Sequence, residues 1–453
     1  MSAPTPGKRL RARTDIFPHQ EKAIDQIRKR PNLLLFLKPG GGKTASTLTA
    51  GPFPMLIVAP IRVCETVWAQ EAAEWVHLHR LQFSLIRGTP CMRLKRLKQK
   101  SDVYLINYDL LSWLMGLSSE ERGYLDGEDG PLSGLKMLVF DEVSMMKSPG
   151  SKRFRAIRRH LANVPRRLGL TGTPTGNSLM NLFGEAFAVA SDKPFGGSYT
   201  RFKQSYFFTV DPQGFIWRPK HDAKQRILAR LKHWAAYIRI PPAAQVMENQ
   251  IHVPLPPKAR KAINELTVRL TTEIGGRDIL AMNDLALAGK LRQLCSGAVY
   301  TDLDGDWEEL HEAKINALVD LVEELEGAPL LVFYEFQHEL ERIMDRIDGV
   351  RVLSNESIAL WNEGRVPVLA LHPQSGAHGL NLQHGGCDMV WTTIPWSWEL
   401  WTQGIGRLAR PGQRERVTVH TLVAGGTIDE RVRAALTQHG LTETETLTAA
   451  TPL

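Results

Sequence analysis

The sequence predicts an α/β chain: two doubly wound parallel-sheet lobes with a mainly helical insertion between them. Three observations carry this. Short, near-continuous apolar runs recur in both halves, which suits strands covered on both faces. Charged, helix-periodic stretches separate several of these runs, and that alternation builds doubly wound sheets. The length, 453 residues, is about three times the ~150 of a typical domain.

In the first half the runs are Leu33–Phe36, Met55–Pro60, Phe83–Gly88, Val103–Tyr108, Met137–Glu142 and Arg167–Thr173, with helical patterns around Glu65–Val76 and Arg93–Gln99. From about Ser191 to Leu291 such runs are scarcer. Helical patterns dominate there, as in AKQRILARLKHWAAYI (Ala223–Ile238) and PPKARKAINELTVRL (Pro256–Leu270). Pro241, Pro242, Pro254, Pro256 and Pro257 punctuate this stretch as an interdomain connection would. The second half repeats the strand pattern at Leu330–Tyr334, Val350–Ser354, Val368–Pro373, Met389–Ile394 and Val417–Val423. The expected division is 1–190 for the first lobe, 191–290 for the insertion and linker, and 291–453 for the second lobe.

Hydrophobic residues at 43% and charged residues at 23% exclude a largely disordered or fibrous chain. No apolar run approaches the ~18 residues of a membrane span, and no membrane association is expected. The opening MSAPTPGKRLRAR has no apolar stretch after its basic residues, so it does not read as a secretory leader. A net charge of +8 permits a polyanion partner without establishing one. Cys64, Cys91, Cys295 and Cys387 form no C-x-x-C pair and have mostly apolar neighbours. They read as buried thiols of a reducing cytoplasm.

LLLFLKPGGGKT (Leu33–Thr44) is the strongest motif: an apolar strand, a glycine-rich turn, then a helix-compatible stretch. Backbone N–H groups at Gly40, Gly41 and Gly42 can close around phosphate oxygens. Lys43 can reach the β- and γ-phosphates, and Thr44 offers a hydroxyl to Mg²⁺. Leu37 stands where the strict P-loop pattern has its first glycine. LVFDEVS (Leu138–Ser144) ends a second apolar strand in Asp141-Glu142. Asp141 suits Mg²⁺ binding, and Glu142 suits orienting and deprotonating a water. LGLTGTP (Leu168–Pro174) places small hydroxyl residues after a strand, where they can bond to those carboxylates or simply form a turn.

The order of these motifs resembles helicase superfamily two, and within it the Swi/Snf-like ATPases, especially compact phage and prophage versions. The resemblance runs from about Phe17 to Ala435 and implies two RecA-like lobes with ATP and Mg²⁺ between them. FPHQEKAID resembles the adenine-reading segment, with Gln20 on the base. LIVAPIRVCETVWAQEAAEW and LINYDLL resemble segments that touch a DNA backbone, which implicates Arg62. Thr171, Gly172 and Thr173 fall in a coupling motif. SGAHGLNLQ (Ser375–Gln383) resembles the second-lobe motif that couples DNA to ATP, implicating Gly379 and Asn381. QGIGRLARPGQ (Gln403–Gln413) resembles the arginine-finger motif. It puts Gln403 by the nucleotide and Arg407 and Arg410 as fingers, three apart on a helical pattern and so on one face. GTIDERV resembles the closing helix.

Two departures stand out. Ser144 replaces the usual histidine of the acidic box, which bears on coupling to Thr171 and Thr173. Lys38-Pro39 stands where larger relatives carry an acidic residue and methionine. The resemblance implies a cytoplasmic DNA-dependent ATPase of a bacterial or phage-infected cell that tracks along or remodels duplex DNA. A strand-separating helicase on DNA or RNA, and an ATP-gated nucleic-acid clamp, stay open beside it. Protein partners are not indicated.

The basic runs KRLRAR, RLKRLKQK and SKRFRAIRRH read first as solvated faces. Leu94, Leu97, Phe154, Ile157 and Leu161 would turn toward a core. Trp391, Trp396, Trp398 and Trp401 read first as packing, with base stacking as the other use. His372, His378 and His384 form no metal constellation.

Overall fold

A computed structural model describes residues 10–117, 134–158, 164–175, 178–211, 213–240, 244–301, 305–376 and 380–449. The chain divides into two compact units, Met1–Pro241 with Leu441–Leu453, and Pro242–Gly440.

The first unit is built on strands β1 (Asn32–Phe36), β2 (Met55–Ala59), β3 (Phe83–Leu85), β4 (Val103–Asn107), β5 (Met137–Asp141) and β6 (Arg167–Thr171). A hairpin follows, β7 (Phe207–Thr209) with β8 (Trp217–Pro219), and then β9 (Ala235–Tyr237). The main sheet has the order β3-β4-β2-β5-β6-β1-β9, and every pair in it is parallel. Period-two alternation feeds two apolar layers. Leu34, Phe36, Leu56, Val58 and Phe140 enter one; Leu33, Leu35, Ile57, Leu105 and Val139 enter the other. Full burial contributes ~1.5–3 kcal/mol for each such large side chain, so the strands are apolar throughout rather than alternating.

The second unit holds β10 (Val246–Val253), the hairpins β11 (Thr271–Ile274) with β12 (Arg277–Leu280) and β13 (Ala298–Tyr300) with β14 (Trp307–Glu309), then β15 (Leu330–Phe333), β16 (Val350–Val352), β17 (Val368–Leu371), β18 (Asp388–Trp391) and β19 (Val417–Ala424). Its main sheet, β10-β19-β18-β15-β17-β16, is also wholly parallel. Two parallel α/β sheets are thus the observed fold class.

The segment 191–290 does not stand apart as a helical body. β9 joins the first sheet beside β1, β10 joins the second beside β19, and the division falls within the proline cluster at Pro241–Pro242. The stretch Ala223–Ile238 is a helix only over Ala223–Leu231 before it becomes β9.

Several bland readings also meet the structure. Leu97 and Phe154 are buried and Leu94 packs on the same layer; the side chains of Ile157 and Leu161 lie outside the described residues. The tryptophans divide: Trp391 is buried between Phe333 (ring centroids 4.2 Å) and Trp401 (5.3 Å), whereas Trp396 is exposed. All four cysteines are free. Cys64 and Cys295 are buried, but Cys91 is exposed and Cys387 half-buried, because Cys91 sits on the outward side of a surface helix, Pro90–Lys98. His378 lies outside the described residues.

Candidate nucleotide site

Strand order brings the first-unit motifs together. β5, β6 and β1 are consecutive neighbours and run in parallel, so their C-terminal ends open on one edge of the sheet. That edge is where doubly wound sheets place ligands. The loop after β1 carries Gly40–Gly42, β5 ends in Asp141-Glu142, and β6 ends at Thr171.

Helix α1 (Pro18–Lys29) and helix α2 (Lys43–Ala50) pack together beside this edge. Gln20, buried on α1, accepts a hydrogen bond from the Phe17 N–H through Oε1 at 2.9 Å. Its Nε2 lies against Gly42: a Cβ on that glycine would fall 1.8 Å away. Gly42 also holds φ +75°, a left-handed conformation that side chains resist. The left-handed φ calls for glycine at the N-cap of α2, and any side chain there would also have to push the Gln20 amide aside. Lys43, in the first turn, folds back so that Nζ donates to the Leu37 carbonyl at 3.1 Å. Thr44 follows it, half-buried.

The two carboxylates are held differently. Asp141 Oδ2 accepts from Trp68 Nε1 at 3.0 Å. Glu142 sits at φ 59°, ψ 60°, a left-handed conformation uncommon for a non-glycine residue. The Tyr108 hydroxyl donates to the carbonyls of Asp141 (2.9 Å) and Glu142 (3.2 Å), fixing the turn. Glu142 Oε1 accepts from both Thr171 Oγ1 (3.1 Å) and Ser144 Oγ (3.2 Å), and neither bond uses Oε2. Thr171 Oγ1 in turn accepts from the Thr173 N–H at 3.1 Å. Between them Gly172 lies on Pro39, where a Cβ would come within 2.9 Å of the ring. The serine that replaces the box histidine is therefore wired to Glu142, and the third motif bonds to the second.

Burial pushes both carboxyls above their usual range. The Lys43 charge opposes this at both; the Trp68 N–H assists at Asp141, and the Thr171 and Ser144 hydroxyls at Glu142. The Asp141 charge adds to the upward push on Glu142. A cation at this edge would reverse the shift.

Sequence reasoning missed Trp68 and Tyr108 as supports of the carboxylates. The signal was present, since both lie inside the segments read as DNA-contacting. Arg62, in the same stretch, is exposed on the helix Ile61–Thr66.

In the second unit, Gln403 and Arg407 are buried on helix α3 (Trp398–Leu408). Arg410 is not on that helix: regular structure ends at Leu408, and Ala409 adopts ψ 70°. The two arginines still converge, because Nη1 of each donates to the Leu380 carbonyl, at 3.2 Å from Arg407 and 2.7 Å from Arg410. Arg410 also donates to Asn381 Oδ1. Gln403 Nε2 reaches Glu399 Oε1 at 3.5 Å. Gly379 lies outside the described residues.

A family model described as SNF2-related domain matches residues 11–295. The chain belongs to the SNF2-related domain family. It is 33% identical over 443 residues to protein p41 of Acyrthosiphon pisum secondary endosymbiont phage 1, covering 92% of this chain and 94% of that one. It is 25% identical to the CHD3-type chromatin-remodeling factor CHR7 of Arabidopsis thaliana, covering 89% of this chain and 35% of that protein. It is 24% identical to the DNA annealing helicase and endonuclease ZRANB3 of Homo sapiens, covering 92% of this chain and 39% of that protein. This SNF2-related chain thus spans nearly all of the phage protein and between a third and two fifths of the eukaryotic ones. Among the described residues no helix is long and apolar enough to cross a membrane.

Proposed function

We propose that the chain is a DNA-dependent ATPase that couples hydrolysis to movement along, or remodelling of, duplex DNA. One observation carries this reading: Lys43, Asp141 and Glu142 meet at one sheet edge, with Glu142 locked in place by two hydroxyls on Oε1. Membership of the SNF2-related family supports ATP as the nucleotide. The names of the chromatin-remodeling factor and the DNA annealing helicase support DNA as the partner.

In this reading Gly40–Gly42 cradle the phosphates, Gln20 meets the adenine, and Lys43 leaves the Leu37 carbonyl for the β- and γ-phosphates. Glu142 orients the attacking water and takes its proton. The donor set fits Mg²⁺. That ion typically takes only one or two carboxylates plus phosphates and water, and Asp141 with Thr44 meets the need. Bound Mg²⁺ would neutralise charge developing on the phosphates.

Arg407 and Arg410 are the fingers that stabilise the transferring phosphoryl group, and Gln403 and Gly379 serve the nucleotide. Arg62, Thr171, Gly172, Thr173 and Asn381 report DNA occupancy to the site. The Glu142–Thr171–Thr173 chain is the physical link for that report. The test is ATP turnover on duplex DNA, single-stranded DNA and RNA, with stimulation by duplex DNA expected to be strongest.

A further inference from the structure

The hairpin β7–β8 has no part in the nucleotide site, and its two faces differ sharply. The pairing Phe208 with Arg218 and Thr209 with Trp217 continues through the Val210 N–H, which donates to the Ile216 carbonyl at 2.9 Å. Residues two apart share a face, so Phe208, Val210, Ile216 and Arg218 stand together. The first three are 48%, 50% and 57% exposed. The other face is seated: Phe207 is buried against Phe202 (centroids 5.8 Å), and Lys203 lies 4.1 Å over the Trp217 ring.

The tip is ordered. The Asp211 carboxylate accepts from the Phe215 and Ile216 N–H groups, and Trp217 Nε1 donates to the Gly214 carbonyl at 2.8 Å. This arrangement holds Phe215 out at 81% exposure. A fixed, outward aromatic beside an exposed apolar face is an unpartnered surface.

Charge says what covers it. Residues 199–232 hold eight Lys or Arg and only two Asp, most of the chain's net +8. One of those aspartates caps the tip, and the other pairs with Arg226. The cores of protein interfaces are depleted of charge, whereas an exposed aromatic with Arg218 on its own face and a net basic surround suits nucleic acid. A continuous duplex offers phosphates outside and hides the flat faces of its bases. Those faces are open only where strands part or end.

We infer that this hairpin binds DNA at a junction between paired and unpaired strands, with Phe215 stacked on the first unpaired base, Ile216 packed beside it, and Arg218 and the neighbouring basic helices on the flanking phosphates. The inference rests on the proposed DNA-dependent ATPase and extends it to a preferred DNA structure.

The experiment compares the full-length chain on a forked DNA and on a blunt duplex with the same paired length. Anisotropy gives affinity, and 2-aminopurine at the first unpaired position reports stacking. The parent should bind the fork about 10-fold more tightly, within the range of one stacked base, and quench the probe. F215A/I216A should bind both DNAs equally and leave the probe bright, and F215W should restore both effects. Equal binding of fork and duplex by the parent would overturn the inference, as would a fork preference that survives in F215A/I216A. A change in sedimentation of F215A/I216A with DNA binding intact would also overturn it, making the face a contact between protein copies. ATPase stimulation by blunt duplex, measured alongside, separates the two levels. If it is absent, the proposed function fails; if it is present without fork preference, only the hairpin assignment fails.

Discussion

The side-chain amide of Gln20 occupies the space where a Cβ on Gly42 would be, 1.8 Å from Nε2. The two residues come from different motifs, and a side chain added at Gly42 would displace Gln20. G42A should displace Gln20 and strain the loop, raising KM for ATP and lowering kcat together. Q20A leaves the loop its glycine and should chiefly reduce selectivity. The ratio of kcat/KM for ATP over GTP, measured on both variants, checks this: it should fall toward 1 in Q20A.

K43A removes the charge that opposes the upward shift of both carboxylates and the proposed phosphate contact. Hydrolysis should fall by at least about 10²-fold, as expected when a preorganised charge at the transition state is deleted. Steady-state phosphate release reads this directly. A parental rate in K43A would remove the loop from the active site.

E142Q should bind ATP and fail to turn it over, since a glutamine amide can accept from Thr171 and Ser144 but cannot take a proton. Equilibrium binding of a labelled nucleotide beside single-turnover hydrolysis separates the two properties.

The same residue predicts a pH effect on stability. Burial raises the Asp141 and Glu142 carboxyls in the folded chain. Folding therefore favours their protonated forms. Their stabilising contribution is present at low pH and is lost as pH rises through the folded-state values. At neutral pH the ionised pair costs stability, so D141N and E142Q should melt above the parent without nucleotide at pH 7.5. The advantage should vanish below about pH 4, where free carboxyls are largely protonated too. Thermal melts across pH test it, and a lower melting point for both variants at pH 7.5 would contradict it.

R407A and R410A should each keep ATP affinity and lose kcat by about 10³-fold or more, the usual worth of an arginine finger. R410A should lose more than the charge, because Arg410 also ties down Leu380 and Asn381. A rise in KM with kcat preserved would return both residues to structural roles in the second unit.

The strands of both main sheets were legible wherever they are buried on both faces, because burial imposes an unbroken apolar run. Leu33–Phe36 and Leu330–Phe333 are of this kind. β10 was not legible. It is an edge strand, and Val246–His252 are mostly exposed, so its sequence VMENQIHV carries no apolar signature. β9 is three residues long and continues an amphipathic helical pattern, which hid the change at Trp234. The nucleotide residues were readable because phosphate chemistry demands glycines and a lysine in a fixed order. Trp68 and Tyr108 were not, since their tie to Asp141 and Glu142 exists only once β5 is folded beside β2. Arg410 was placed on a helix by its spacing from Arg407. Pro411 explains why the helix stops short of it, since the residue before proline avoids helical geometry.

The central claim is that DNA drives the ATPase. Contacts to backbone phosphates are insensitive to base sequence and release counterions. The decisive measurement is therefore the ATP hydrolysis rate of the full chain on duplex DNA of several sequences, on RNA and on no nucleic acid, across a salt series. The account predicts strong stimulation by every duplex, weaker stimulation by RNA, and a decline as salt rises. A rate indifferent to duplex DNA, or one stimulated more by RNA, would contradict it.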